Sequence, residues 1–320
     1  MGKAQPVTAA RGDIDVDSFR SLAWEPGVPV HLRNFHHLPA AENWFTRRNL
    51  ERKGLPTFSD KLQSFAGMEM PYELILSGRS VDSSSSPSSS SCLRDFQTWL
   101  TSQTAERDGP FLCQLVDRLL ESAEKSHSRF LQFNAPLSLI IQAARYNSAT
   151  NSLSGPIQQL YIAQCDIRGL PAALEADLPV PEIVGRTGKG DVYSSSIWLG
   201  LQPTYTPLHR DPNPNLFCQL VGSKVVRLFR PSTGLSVFRD VRRSLGLAGD
   251  ARFRGPEMMD GPERDGLHHA TWVDPDPSKE FWEAVLSSGD ALFIPQGWWH
   301  SVRSVGHEAE LNASANWWFR

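Results

Sequence analysis

The chain has 320 residues, 40% of them hydrophobic and 21% charged, with a formal net charge of −3. That composition belongs to a globular protein able to bury a sizeable core, and it lacks the basic excess by which a general nucleic-acid binder neutralises phosphates. The four cysteines, Cys92, Cys113, Cys165 and Cys218, are scattered without Cys-x-x-Cys spacing, which argues against a disulfide frame or a zinc site and for free thiols in a reducing compartment.

No apolar run approaches the ~20 residues that span a bilayer, and MGKAQPVTAARGD lacks the apolar core of a secretory signal. Pro6 stands where a myristoylation signal wants Ser or Thr. The expectation is an intracellular protein, cytoplasmic, nuclear or both, with no membrane partner.

Residues 1–13 read as a loose tail. DVDSFRSL (15–22) sets an Asp cap before helical spacing, and EPGVPVHLRNF (25–35) reads as a turn leading into a strand. LPAAENWFTRRNLERKG (38–54) is expected to be helical, with Pro39 in its first turn and Gly54 just past its end. Arg47, Arg48, Arg52 and Lys53 would then form an exposed basic face. MEMPYELIL (68–76) reads as a strand. The serine tract VDSSSSPSSSSC (81–92) buries nothing that offsets the entropy of ordering it, so a mobile loop is expected over 83–91. DFQTWLTSQ (95–103), FLCQLVDRLLESAEKS (111–126) and PLSLIIQAARYN (136–147) read as helices, the second with the three- and four-residue apolar spacing of one-sided packing.

From about residue 157 the texture changes to short β-rich runs broken by Gly, Pro and Asp, which predict a sandwich or barrel. Residues 1–155 are therefore expected to form a helical and extended cover, and 156–320 the core that carries the site. Residues 232–278, rich in Gly, Pro, Asp and Arg, read as an irregular insertion, either a lid or disordered.

The chemistry concentrates in YTPLHRDPNPNLFCQLVGSKVVRLFR (205–230). Residues i and i+2 of a strand share a face, so His209 and Asp211 deliver an imidazole and a carboxylate to one point. Taken alone the pair also fits a turn histidine followed by an Asp-Pro-Asn-Pro turn. His300, in GDALFIPQGWWHSV, supplies a third ligand, and two His with one carboxylate is the ligand set of non-heme Fe(II) oxygenases. Lys224 lies 13 residues after Asp211 in an apolar strand-like run. Either it faces solvent, or it is a buried ammonium that needs an anion, such as the far carboxylate of a diacid cosubstrate to which Thr206 would also donate. Trp298 and Trp299 shield the metal or belong to the core. His268, His269 and His307 read as surface residues.

Three segments, LYIAQCDI (160–167), TPLHRDPNPNLFCQLVGSKVVRLF (206–229) and GDALFIPQGWWHSV (289–302), resemble in order and spacing the motifs of the JmjC family of cupin-like oxygenases, closest to its small asparaginyl and arginyl hydroxylases. The resemblance covers about 157–320. It implies a mainly β double-stranded β-helix, a jelly-roll with flanking helices, and a cofactor set of Fe(II), 2-oxoglutarate and O2. By that resemblance His209, Asp211 and His300 bind the metal, while Tyr161, Thr206 and Lys224 hold the distal carboxylate of 2-oxoglutarate. Asn215 and Asn316 would lie at its metal-proximal end with Trp318 beside them. Phe217 would pack the pocket wall, and Gln164 and Trp198 would line the substrate channel.

The implied activity is hydroxylation of a protein or peptide side chain, with succinate and CO2 as co-products. Demethylation of N-methyl-lysine or N-methyl-arginine by the same chemistry stands as the alternative, as does a non-catalytic cupin scaffold. A tRNA substrate sits poorly with a weakly acidic chain but stays open.

Overall fold

The computed structural model describes residues 4–47, 56–76, 89–103, 108–126, 129–149, 154–247 and 260–320. Two sheets face one another. The smaller runs in the order Gln5–Pro6, Trp282–Leu286, Ser223–Phe229, Trp299–Val305, Tyr205–Arg210. The larger has nine strands, with Asn215–Val221, Leu311–Phe319, Val192–Leu201 and Leu160–Asp166 as consecutive neighbours in it. Thr8–Arg11, Val30–Arg33 and Ala291–Ile294 extend one side, and Glu69–Ile75 and Phe130–Pro136 the other. This is the jelly-roll expected from the sequence.

Period-two alternation sorts the smaller sheet's side chains between two cores. Val226, Leu228 and Val302 point inward, against Phe217, Leu292 and Ile294 of the larger sheet. Phe229 and Trp299 point outward, under Val237, Phe238 and Leu267. The largest core lies on the outer face of the nine-stranded sheet. Leu112, Leu115, Val116, Leu119 and Leu120, from the helix Gly109–Ser126, join it at the predicted spacing.

The larger sheet draws strands from both sides of residue 155. His31 meets the Asp290 carboxylate at 3.1 Å, and the Asn34 backbone N–H donates to the same group at 2.9 Å, pinning an early strand to a late one.

Three expectations are corrected. Residues 1–13, read as a loose tail, contain the strands Gln5–Pro6 and Thr8–Arg11, which pair with Trp282–Leu286 and Val30–Arg33. The helix expected over 38–54 is confined to Pro39–Asn43, after which Phe45–Arg47 pairs with Pro56–Phe58 as strands. Aromatic Phe45 and β-branched Thr46 favour that pleated pairing, and Phe45 also enters the core. The stretch 232–278 is not irregular in its described parts. Pro231–Ser244 is a helix opened by Pro231 at its first turn, and Pro262–His268 is another that continues into a π-helical turn at His269–Val273. Gly234 lets the first helix approach the sheet, because a Cβ there would sit 2.3 Å from Trp299.

Of the serine tract, the part up to Ser88 lies outside the described residues, and Ser89–Ser91 open the helix Ser89–Ser102. Arg48, Arg52 and Lys53 also lie outside them. Among the described residues no helix is long and apolar enough to cross a membrane.

Candidate metal and cosubstrate site

His209 and His300 are direct cross-strand partners, and Asp211 follows one residue beyond the first strand. The two rings are 4.2 Å apart between centroids. The carboxylate of Asp211 lies 3.7 Å from Nε2 of His209 and 3.6 Å from Nε2 of His300. Those separations are too long for hydrogen bonds. They suit three ligands around one ion, and their ligand atoms all fall within 4.8 Å of one another. Among the described residues this is the one such cluster of His, Cys, Asp and Glu.

The tautomers are set from behind. Nδ1 of His209 is 2.8 Å from the carbonyl of Pro207, and Nδ1 of His300 is 3.4 Å from that of Trp298. A carbonyl oxygen only accepts, so Nδ1 carries the proton and the Nε2 lone pair is turned toward Asp211. Oδ2 of Asp211 accepts from Trp318 Nε1 at 2.8 Å and from Asn215 Nδ2 at 3.0 Å. Asn316 in turn donates to Oδ1 of Asn215 at 3.0 Å. Burial opposes ionisation of Asp211, but His300, His209, Trp318 and Asn215 outweigh it and hold the carboxyl below its ordinary range.

A cavity of about 380 Å³ opens over this cluster, and Lys224 also borders it. Lys224 is 2% exposed, on the inner face with Val226 and Leu228. Its Nζ donates to the Tyr161 hydroxyl at 3.1 Å and to Ser314 Oγ at 3.0 Å, and lies 5.2 Å from the centre of the Phe217 ring. Among the described residues no carboxylate pairs with it. Desolvation alone lowers its pKa to about 7. A buried cation met by two hydroxyls and a ring is a socket for an anion.

Every site residue expected from the sequence borders this cavity, including Tyr161, Gln164, Trp198, Thr206, Phe217 and Asn316. Asn215 and Trp318, expected at the metal-proximal end of the cosubstrate, also hydrogen-bond the candidate metal ligand Asp211. Trp298 and Trp299 do not border the cavity. Trp298 packs on Trp282, and Trp299 packs on Phe238 outside the barrel. His268 is half-buried edge-on to Tyr205, 5.1 Å away, whereas His269 and His307 are exposed as expected.

Ser314, Ser194 and Ser196 were missed, although alternation could have found them. Stepping back by two from Asn316 reaches Ser314, and from Trp198 reaches Ser196 and Ser194. The Asn316 Oδ1 atom is buried with no hydrogen-bond partner, an acceptor left open beside the carboxylate relay.

A family model for the cupin-like domain matches residues 18–320. The chain belongs to the cupin-like domain family. It is 27% identical over 166 residues to the protein named lysine-specific demethylase JMJ30 of Arabidopsis thaliana, covering 52% of this chain and 35% of that one. It is 30% identical over 161 residues to lysine-specific demethylase 8 of Danio rerio, 50% of this chain and 36% of the relative. Jumonji C domain-containing protein 5 of Drosophila melanogaster gives 30% over 160 residues, 49% and 36%. The chain thus matches about a third of the length of these relatives. The JmjC resemblance of its motifs is borne out, and with it the family's cofactor set of Fe(II), 2-oxoglutarate and O2.

Proposed function

We propose that this cupin is an Fe(II)- and 2-oxoglutarate-dependent dioxygenase that hydroxylates a side chain of a protein substrate. One observation carries the reading. A buried ammonium without a carboxylate partner among the described residues borders the same cavity as two imidazoles and a carboxylate poised for one ion. The donor set fits both groups, with N and O ligands for iron and a cation with hydroxyls for a dicarboxylate.

When bound, the iron and cosubstrate supply oxidative decarboxylation of 2-oxoglutarate by O2, releasing succinate and CO2 while one oxygen enters a substrate C–H bond. The chain's own residues do the positioning. His209, His300 and Asp211 would hold the metal through Nε2, Nε2 and the carboxylate. The carbonyls of Pro207 and Trp298 aim the imidazoles, and Trp318 and Asn215 donate to the carboxylate and fix its direction. Lys224, with Tyr161 beside it and Thr206 on the same cavity wall, would hold the distal carboxylate. Phe217 and Trp198 exclude water from the interior end.

A second reading, removal of a methyl group from N-methyl-lysine or N-methyl-arginine by the same chemistry, is favoured by the names of two relatives. The test begins without oxygen. Fe(II) and 2-oxoglutarate added to the protein are expected to give a visible metal-to-ligand charge-transfer band. It should vanish in His209→Ala and need far more cosubstrate in Lys224→Ala, and a folded wild-type protein that shows no band would overturn the oxygenase reading. With oxygen admitted, a peptide gaining one oxygen supports hydroxylation. Loss of a methyl with formaldehyde release replaces it by the second reading.

A further inference from the structure

One rim of the cavity is a sheet whose strands end out of step. The strand Leu160–Asp166 pairs with Val192–Leu201 at Tyr161, Ile162, Cys165 and Asp166, whose partners are Gly200, Leu199, Ile197 and Ser196. It stops at Asp166, whose carboxylate accepts from the Arg168 backbone N–H at 3.2 Å and caps the 3-10 turn Ile167–Gly169. From that turn Ile167, Leu170 and Leu174 enter the helix-covered core, so the chain leaves the sheet on the side away from the cavity. The neighbouring strand reaches further, through Val192–Ser195. Those residues stay paired with Leu311–Phe319 on one side. On the other, among the described residues, no backbone hydrogen bond reaches them.

That overhang lies at the mouth of the cavity. Ser194, Ser196 and Trp198 share a face by the strand's period of two, and all three border the cavity. Trp198 is 8% exposed and Tyr193 58%, so the strand runs from the interior to the opening. By alternation Tyr193 belongs on the opposite face with Ser195. A bulge intervenes. Val192 pairs with Phe319 and Ser194 with Trp318, which leaves Tyr193 as the extra residue. Such a bulge re-aims a side chain, here the Tyr193 ring onto the border of the cavity. An open strand edge is a feature that folded proteins ordinarily cover. A tyrosine, apolar in its ring and polar at its tip, is suited to a contact surface.

We propose that the open edge of Val192–Ser195 receives the substrate polypeptide as an added strand. The substrate main chain takes the backbone hydrogen bonds that the shorter strand leaves unmade, and the Tyr193 ring packs on a side chain next to the target residue. Side chains of an added strand alternate between two faces, so the target residue drops into the cavity while its neighbours point away. The substrate is then an extended segment rather than a helix or a folded surface, and because main-chain groups supply much of the affinity, its sequence can vary. The proposal rests on the oxygenase reading for what happens in the cavity.

The test uses the whole chain with Fe(II) and 2-oxoglutarate in the absence of oxygen, so that nothing is turned over. A pool of random decapeptides is titrated in while hydrogen exchange of the fast-exchanging amides of Val192–Ser195 is followed. Their exchange is expected to slow about ten-fold at nine-tenths occupancy, and a pool with every backbone amide N-methylated should give no protection. Tyr193→Ala should weaken binding of the plain pool by about five-fold, the worth of one aromatic contact. Tyr193→Phe, which keeps the ring, should bind as wild type does. Exchange that the plain pool leaves unchanged, or that the N-methylated pool slows equally, overturns strand addition. Wild-type binding by Tyr193→Ala overturns the part given to the ring. Absence of the charge-transfer band in wild-type protein speaks against the oxygenase reading instead, whatever the exchange shows.

Discussion

A Cβ on Gly200 would lie 2.1 Å from Cδ2 of Tyr161, so the tyrosine ring occupies the space that any side chain there would need. The two residues are cross-strand partners, and the hydroxyl of that ring receives a hydrogen bond from Lys224. Gly200→Ala is therefore expected to displace the ring and weaken 2-oxoglutarate binding by about ten-fold, the loss of one hydrogen bond to a charged group. Titration of the charge-transfer band with cosubstrate measures this, and an unshifted midpoint counts against the role of Tyr161. Iron affinity should not change.

Lys224→Met separates binding from stability. Replacing a buried ammonium by an apolar chain of similar length is expected to leave the cosubstrate-free protein as stable as wild type or more so, by about 1 kcal/mol or more. Binding of 2-oxoglutarate should fall by about 100-fold or more, the cost of deleting a buried charged partner. Thermal melts with and without cosubstrate report both effects. A marked drop in the melting temperature of the free protein would show that Lys224 has a structural partner instead.

Proton uptake follows from the same residue. Its pKa is lowered to about 7 by desolvation, and a bound carboxylate favours the ammonium. Below about pH 7 the ammonium is already present and binding needs no proton. Above it, binding takes up a proton, so apparent affinity should fall as pH rises, by up to about ten-fold per unit. The stability of the free protein moves the other way. Between about 7 and the ordinary lysine value of 10.5 the unfolded chain holds the extra proton, so stability rises with pH through that window. Calorimetry at pH 8 in buffers of different ionisation enthalpy detects the uptake directly, and identical apparent enthalpies would contradict it.

Trp318→Phe keeps the ring but removes the N–H that Asp211 accepts at 2.8 Å. Metal affinity is expected to fall by about 10- to 100-fold, as when other outer hydrogen bonds to metal ligands are lost. Asn215→Ala should do likewise, and the double variant should lose less than the sum because both donors serve one oxygen. Mn(II) binding followed by electron paramagnetic resonance provides the measurement.

The centre of the site was legible in the sequence because two of its ligands are a strand's i and i+2 residues, and that period is a local property. His300 needed the motif around it, since nothing local says that its strand lies against that of His209. Lys224 was read correctly as a question of burial, which only the packed sandwich answers. The misplaced features share one cause. Trp299 was weighed as a shield because it adjoins His300, yet adjacent residues of a strand face opposite ways, so nearness in sequence put it outside the barrel. The helix Pro231–Ser244 was hidden by Gly234 and Pro231, two residues that usually break helices. Here one starts the helix and the other makes room for Trp299. Phe45 and Thr46 likewise joined a helical run in the sequence because their strand partners lie beyond a connection that local reading cannot cross.

The strand Leu311–Phe319 is not at an edge; it fits between Asn215–Val221 and Val192–Leu201. During synthesis those two strands emerge first, with a slot between them that residues about a hundred positions later must fill. Trp318 reaches Asp211 across 107 positions. The nascent chain therefore carries two open strand edges and an unfastened carboxylate until its last strand arrives. Slow closure of such distant pairings makes that interval the time when the protein is most in need of protection from wrong partners, and the carboxylate ligand gains its indole donor only when the interval ends.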